Sequence, residues 1–150
     1  MRIAGTEINL KYKAFEIYVS GCREAHCSGC HNPELWSFDI GDPYPSKEVQ
    51  DRLAWQLSEL KQAKLIDSIW LLGGEPLDQD QEKLKLLLKY LKETGLSIVL
   101  WTHYETIADE LKCFVDYIKT GRYNEQGKSY IEPVLGIALA NREQKITKLG

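Results

Sequence analysis

Three closely spaced cysteines dominate the chemistry available to this chain. Cys22, Cys27 and Cys30 lie in the string YVSGCREAHCSGCHNPELW. Thiolates at such short spacings are typical ligands of zinc or of an iron–sulfur cluster. Three protein ligands rather than four leave one coordination position for a non-protein group, which distinguishes a reactive metal centre from a structural one. The trio therefore predicts a metal centre with one open position.

Two kinds of metal centre fit the trio. A [4Fe–4S] cluster held by three cysteines has one iron free to bind a small molecule. A structural zinc site is the alternative, with His26 or His31 as its fourth ligand. A disulfide is the weakest interpretation, because clustered cysteines in a reducing compartment favour metal binding. The fourth cysteine, Cys113, follows an apolar helical pattern and is expected to be a buried core residue rather than a ligand.

A glycine-rich turn is the second feature with chemical potential. The string WLLGGEPLDQD places Gly73, Gly74, Glu75 and Pro76 directly after an apolar segment. Glycine lets a backbone approach a ligand closely, and exposed carbonyls there could accept hydrogen bonds from an ammonium group. Glu75 could take part in that contact or brace the loop. A plain strand-to-helix turn is the other interpretation, but the preceding cysteine trio favours a ligand-binding loop.

The apolar pattern predicts how these loops are brought together. Strands are expected at Ala14–Val19, 66–72, 96–101 and 115–119, with helices after Ser46 and at 79–94 and 107–113. One or two further strands are expected near 134–139. The cysteines, the GGEP turn, Thr102-His103 and 119–123 each follow a strand. In a parallel α/β sheet the carboxyl ends of the strands share one edge, where ligands bind. We therefore expect an α/β fold with a mostly parallel sheet, built as a partial, open β/α barrel.

Length and charge restrict the class of protein. The 150 residues are expected to form a single domain spanning 1–150. A net charge of −3 argues against a broad nucleic-acid-binding surface. No apolar run approaches the roughly 20 residues that cross a bilayer, and the N-terminal segment has no apolar signal-peptide core. A cytoplasmic protein that binds neither membrane nor nucleic acid is therefore expected.

Four strings together resemble a known family. SGCREAHCSGCHNPELW, WLLGGEPLDQD, IVLWTHY and VDYIKTGRY occur in the order found in radical S-adenosylmethionine (SAM) proteins, and specifically in the small activating protein of anaerobic (class III) ribonucleotide reductase. A looser similarity, ALANREQKI, lies near the end of the chain. The spacing departs from the family's usual C-x3-C-x2-C at one point, since four residues separate Cys22 from Cys27. The radical SAM partial barrel is the fold that this resemblance implies.

The resemblance also implies a mechanism and a set of partners. It assigns a [4Fe–4S] cluster and SAM to seven residues: the metal ligands Cys22, Cys27 and Cys30, and the SAM contacts Gly73, Gly74, Glu75 and Thr102. An electron from flavodoxin or ferredoxin would pass through the cluster and cleave SAM reductively. The resulting 5′-deoxyadenosyl radical would take a hydrogen atom from a glycine of the reductase large subunit. No catalytic side chain beyond the cluster ligands is implied.

Two other functions remain open at this point. The chain could activate a different glycyl-radical enzyme, because the substrate glycine lies on the partner. It could also be a noncatalytic zinc- or iron–sulfur-binding module, which the lengthened Cys22–Cys27 spacing would suit.

The ligand assignment predicts a clear division among the four cysteines. Replacing Cys22, Cys27 or Cys30 with alanine should abolish reductive SAM cleavage by the reconstituted protein, because each thiolate is an irreplaceable cluster ligand. Cys113→Ala, the matched control, should leave cleavage largely intact. Cleavage is measured anaerobically as release of 5′-deoxyadenosine and methionine. Retained cleavage in any of the first three variants would overturn the ligand assignment.

Overall fold

The computed structural model describes residues 1–23, 29–30 and 32–149. Its strands, in chain order, are β1 (Arg2–Asn9), β2 (Ala14–Val19), β3 (Asp42–Pro43), β4 (Ser68–Gly73), β5 (Ser97–Trp101), β6 (Tyr117–Thr120), β7 (Tyr130–Ile131), β8 (Ala138–Leu139) and β9 (Lys145–Lys148). The α-helices in this part of the chain are α1 (Lys47–Gln62), α2 (Gln81–Glu93) and α3 (Asp109–Lys112). Short 3₁₀ helices cover Pro33–Trp36 and Pro76–Asp78.

The two long helices begin at side-chain caps and bury one apolar face. The Ser46 hydroxyl accepts a hydrogen bond from the Val49 amide at 3.3 Å at the start of α1. At the start of α2 the Asp80 carboxylate accepts from the Lys83 amide at 3.0 Å. The buried residues recur at helical spacing and face the sheet: Val49, Leu53 and Leu57 in α1, and Leu84, Leu87, Leu88 and Leu91 in α2.

The main sheet is mixed, so the expected mostly parallel, partial β/α barrel of the radical SAM type is wrong. Strand order is β3-β1-β2-β4-β5-β6-β9. The pairs β2–β4, β4–β5 and β5–β6 are parallel. The pairs β1–β2, β1–β3 and β6–β9 are antiparallel. Only the four central strands therefore form the parallel arrangement that the alternating strand and helix pattern predicts.

Connection length explains the antiparallel edge. Residues 10–13 alone join β1 to β2, whereas a parallel crossover requires about a dozen residues or more. Asn9 accordingly pairs with Ala14 in a hairpin. The crossovers that do join parallel strands contain α1, α2 and the four-residue α3. Because long β/α units do not continue beyond β6, the sheet ends in the antiparallel strand β9 instead of curving further into a barrel.

Apolar side chains cover both faces of this sheet. Alternating strand residues such as Ile69 and Leu71 belong to the larger cluster, which includes the buried faces of α1 and α2. Trp70, which points to the opposite face, belongs to a smaller cluster with Ile137 and Leu139 from the region of the β7–β8 hairpin. The late part of the chain therefore closes the face of the sheet that the helices leave open.

One single-residue expectation fails in this fold. Cys113, expected in the core, is exposed at the carboxyl end of α3, which has only four residues and buries only Leu111. Trp55 is likewise 67% exposed on the outer face of α1. Both positions lie off the apolar stripe that faces the sheet. None of the helices in the described part of the chain has the length and apolar character needed to cross a lipid bilayer.

Neighbouring leucines of α2 provide a test of the helix–sheet packing. Leu88 is fully buried, whereas Leu86 is 45% exposed. Leu88→Ala should lower the free energy of unfolding by about 2–5 kcal/mol, because it leaves a cavity in the core. Leu86→Ala should change it by no more than about 0.5 kcal/mol. Urea denaturation followed by circular dichroism measures both values. Equal effects of the two substitutions would contradict the observed orientation of α2.

Candidate metal centre and ligand pocket

The cysteine loop begins at the carboxyl end of β2 and is held there by main-chain hydrogen bonds. The Gly21 amide donates to the Leu35 carbonyl at 2.7 Å, and the Cys22 amide donates to the Trp36 carbonyl at 3.1 Å. The 3₁₀ helix after the cysteines therefore folds back beside their start. Cys22 is 8% exposed, so its thiol lies in a sheltered position.

The GGEP turn adjoins this loop, as expected from its position after the neighbouring parallel strand. The Gly74 amide donates to the Val19 carbonyl at 2.8 Å. The Glu75 amide donates to the Gly21 carbonyl at 2.7 Å. These bonds extend the β2–β4 pairing into the loops, so the two sequence motifs form one continuous surface at the edge of the sheet.

Two side chains after the turn strengthen this junction, and sequence reasoning missed both. Gln79 is buried, and its Nε2 lies within hydrogen-bonding distance of the carbonyls of Ser20, Gly21 and Glu75 at 3.0, 3.3 and 3.0 Å. Asp78 accepts from the Arg23 amide at 2.8 Å. In the sequence, residues 78–80 resemble the start of a helix. Only the contacts in the folded protein show that Asp78 and Gln79 also hold the cysteine loop.

Glu75 lies at the centre of a buried hydrogen-bond network with Leu77, Thr102 and His103. Its side chain is 2% exposed. Oε1 accepts from the Leu77 amide at 3.0 Å and from the Thr102 hydroxyl at 2.6 Å. Oε2 accepts from the His103 amide at 2.9 Å and lies 2.6 Å from His103 Nδ1. Of the two roles the sequence left open for this carboxylate, the contacts support the bracing role.

Close packing explains the two glycines of the turn. Gly73 has φ +121°, a conformation that favours glycine, and a Cβ there would lie 2.4 Å from the Val19 carbonyl oxygen. A Cβ on Gly74 would lie 2.5 Å from the Gly21 carbonyl oxygen and 2.8 Å from that of Leu35. Both glycines are therefore required for contact between the turn and its neighbouring backbone, whatever ligand contact they also make.

A pocket of about 310 Å³ opens at this edge of the sheet. Its lining includes six of the seven residues singled out from the sequence: Cys22, Cys30, Gly73, Gly74, Glu75 and Thr102. Aromatic side chains and residues of the late hairpin complete the wall: Trp36, Trp101, Tyr123, Ala138, Leu139 and Ala140. One cavity thus joins two cysteines to the glycine turn and the third strand end.

Lys119 is a buried cation in the pocket wall. It is 7% exposed and lines the pocket. Its ammonium group donates to the Gly121 carbonyl at 3.0 Å and lies 5.8 Å from the centroid of the Trp101 ring. The pairing of Trp101 with Lys119 in adjacent parallel strands explains this placement. A sequence analysis that assigned the β5–β6 register would have found it.

The third expected ligand, Cys27, lies outside the described residues, as do His26 and His31 of the zinc alternative. Within residues 1–23, 29–30 and 32–149, no group of three His, Cys, Asp or Glu side chains is arranged to hold a metal. Cys22 and Cys30 line the same pocket. Two thiols on one wall, with Cys27 between them in the chain, form a donor set that fits a cysteine-ligated cluster.

A comparison with protein families shows what kind of metal centre these cysteines serve. The profile of the family described as "4Fe-4S single cluster domain" matches residues 12–129, which include all three clustered cysteines and the GGEP turn. The chain belongs to this family and carries a 4Fe–4S cluster-binding domain. A search of curated proteins found no match to the chain.

The packing of Gly74 predicts that its substitution affects the metal centre as well as the ligand pocket. Gly74→Ala should lower the free energy of unfolding by about 1–3 kcal/mol, because the new methyl group forces the cysteine loop away from the turn. Iron content after anaerobic reconstitution should fall with it.

Gly5→Ala is the matched control for this substitution. Apart from Gly5 itself and its two neighbours in the chain, no heavy atom of the described residues lies within 4 Å of a Cβ built there. Its stability and iron content should equal or slightly exceed those of the unmodified protein. Full iron loading and unchanged stability in Gly74→Ala would show that the two loops are not packed as described.

Proposed function

We propose that this iron–sulfur protein is a radical SAM activating enzyme, which cleaves SAM reductively and generates a glycyl radical on anaerobic ribonucleoside-triphosphate reductase. The observation that carries the proposal is the single pocket shared by Cys22, Cys30 and the GGEP turn. Membership of the family of 4Fe–4S single cluster domains is the ground for proposing a redox centre. The resemblance of the four sequence strings to radical SAM proteins is the ground for proposing the reaction.

The proposed cofactors are a [4Fe–4S] cluster and SAM. Cys22, Cys27 and Cys30 would hold the cluster, which when bound supplies the electron for cleavage of the SAM sulfonium bond. Gly73 and Gly74 would place main-chain carbonyls near the amino group of SAM. The cofactors would supply the bond-breaking chemistry, while the protein would bind and orient SAM and exclude water from the site.

The side chains around the pocket suit those tasks. Because its carboxylate oxygens already accept bonds from Leu77, Thr102 and His103, Glu75 fixes the turn. Thr102 would line the ligand site while its hydroxyl donates to Glu75. Trp36 and Trp101 line the pocket, where their aromatic side chains would help to exclude water.

The proposed partner is the large subunit of the reductase, and the proposed electron donor is flavodoxin or ferredoxin, both in the cytoplasm. A pocket that opens at the edge of a sheet leaves the reacting atoms accessible to another protein. The glycine-bearing loop of the partner would cover this opening and so protect a radical from solvent. Activation of a different glycyl-radical enzyme requires the same pocket and differs only in the partner.

Electron paramagnetic resonance tests the proposal directly. The reconstituted protein, mixed anaerobically with SAM, a reductant and the reductase, should produce a glycyl radical doublet on the reductase. A reductase variant with alanine at the radical-bearing glycine is the control and should give no doublet. SAM cleavage without a doublet would exclude this partner. If neither SAM cleavage nor the doublet is observed despite a complete cluster, the proposed enzymatic function is wrong. The protein would then be a noncatalytic iron–sulfur module.

A further inference from the structure

A buried lysine shares the pocket with the cysteine ligands. Lys119 lines the same cavity of about 310 Å³ as Cys22 and Cys30, two of the three expected ligands of the cluster. It is the one lysine or arginine among the described residues of this lining. The residue is only 7% exposed, and lysine is almost never buried unless its ammonium group is paired, because that group is costly to remove from water. The SAM contacts proposed above give this charge no role.

Two contacts hold the ammonium group of Lys119 in place. Nζ donates to the Gly121 carbonyl at 3.0 Å and lies 5.8 Å from the centroid of the Trp101 ring. An indole ring attracts a cation, and a hydrogen bond is stronger when its donor is charged, so both contacts favour the protonated form. The backbone is held as well, since the Thr102 amide donates to the Lys119 carbonyl at 2.9 Å. The pocket wall therefore contains a fixed positive charge.

A [4Fe–4S] cluster held by thiolates responds to such a charge. Its net charge and its surroundings are among the factors that set its reduction potential. Three thiolates give the cluster a net negative charge, and reduction adds one more. By Coulomb's law, a nearby cation stabilises the reduced form more than the oxidised form. The interaction is strongest away from bulk water, and both Lys119 and Cys22 are buried.

Glu75, the carboxylate of the pocket lining, does not change the direction of this effect. Its oxygens accept hydrogen bonds from Leu77, Thr102 and His103. Removal of the Lys119 charge makes the pocket more negative by one unit, whatever charge the Glu75–His103 pair carries. The cluster is therefore harder to reduce without this lysine in either case.

We propose that Lys119 raises the reduction potential of the cluster and so eases its reduction by an electron donor. The inference rests on the 4Fe–4S family and on Cys22, Cys27 and Cys30 as ligands, and it requires neither SAM nor the reductase. One electron enters the cluster, the donor is oxidised by one electron, and no bond forms or breaks. Lys119 acts through its charge and not as a ligand of iron.

Three substitutions at Lys119 separate its charge from its packing. Lys119→Met keeps an unbranched side chain but removes the charge. Lys119→Gln also removes the charge and keeps a hydrogen-bond donor for the Gly121 carbonyl. Lys119→Arg keeps the charge. Lys148→Met is the matched control for net charge, because Lys148 is exposed and pairs with Tyr117, at the opposite end of β6 from Thr120.

A potentiometric titration of the reconstituted protein with dithionite, without SAM, measures the effect by electron paramagnetic resonance of the reduced cluster. At a fixed applied potential, the ratio of reduced to oxidised cluster should fall about tenfold in Lys119→Met and Lys119→Gln, the size expected for unit charges about 10 Å apart at an effective dielectric constant of about 20. A tenfold change equals about 59 mV for a one-electron couple. Lys119→Arg and Lys148→Met should stay close to the unmodified protein, since arginine retains the charge and water and salt screen the exposed Lys148.

The outcomes decide the inference without reference to the proposed enzymatic function. Iron content and thermal unfolding establish that each variant is loaded and folded. An unchanged potential in the two neutral Lys119 variants would overturn the inference, as would an equal shift in Lys119→Arg or Lys148→Met. Loss of the cluster from both neutral variants would also overturn it, because Lys119 would then be required for assembly.

The inference and the proposed function fail separately. If the potential shifts as expected but the unmodified protein never cleaves SAM, the inference stands and the enzymatic function is wrong. If the unmodified protein cleaves SAM but the neutral variants show no shift, the function stands and the inference is wrong.

Discussion

The rest of the site depends on the hydrogen bonds that the buried carboxylate of Glu75 accepts. A carboxylate this far from water is stable only if its oxygens are hydrogen-bonded, and here the donors come from Leu77, Thr102 and His103. These donors belong to the turn after β4 and to the end of β5. One side chain therefore fixes the relative positions of two strand ends, and the main-chain amide of the same residue holds the cysteine loop through Gly21.

This arrangement links the metal site to the ligand pocket. Gly21, which precedes the first cysteine, accepts a hydrogen bond from the Glu75 amide and lies within hydrogen-bonding distance of Gln79 Nε2. Its backbone is also in direct contact with Gly74. A displacement of the glycine turn must therefore displace Cys22 as well. Such coupling suits chemistry in which a ligand has to lie against a metal cluster with little tolerance for error.

The central strands and both long helices could be predicted from sequence, because their apolar periodicity and caps are local signals. The direction of the edge strands could not be predicted from such local signals. Arg2–Asn9 alternates apolar and polar residues as an exposed antiparallel strand does, but only the short connection to Ala14 determines its direction. Extending the parallel pattern to the whole chain produced the incorrect barrel.

The candidate site shows the same division between local and tertiary information. Cysteine spacing and the GGEP string identified residues that line one pocket, because consecutive parallel strands bring their carboxyl ends together. The roles of Gln79 and Lys119 could not be predicted from local sequence, because they come from contacts with other parts of the chain. The apolar pattern at 107–113 predicts a buried Cys113, but α3 has only four residues and leaves this side chain exposed.

Electron–nuclear double resonance on the reduced, reconstituted protein with SAM labelled with ¹⁵N at its amino group tests the central claim most directly. The claim is that the cysteine loop and the glycine turn hold a cluster and the methionyl end of SAM in contact. The account predicts a ¹⁵N hyperfine coupling to the cluster, which Cys113→Ala should retain. A complete [4Fe–4S] cluster that binds SAM without any such coupling would contradict the account.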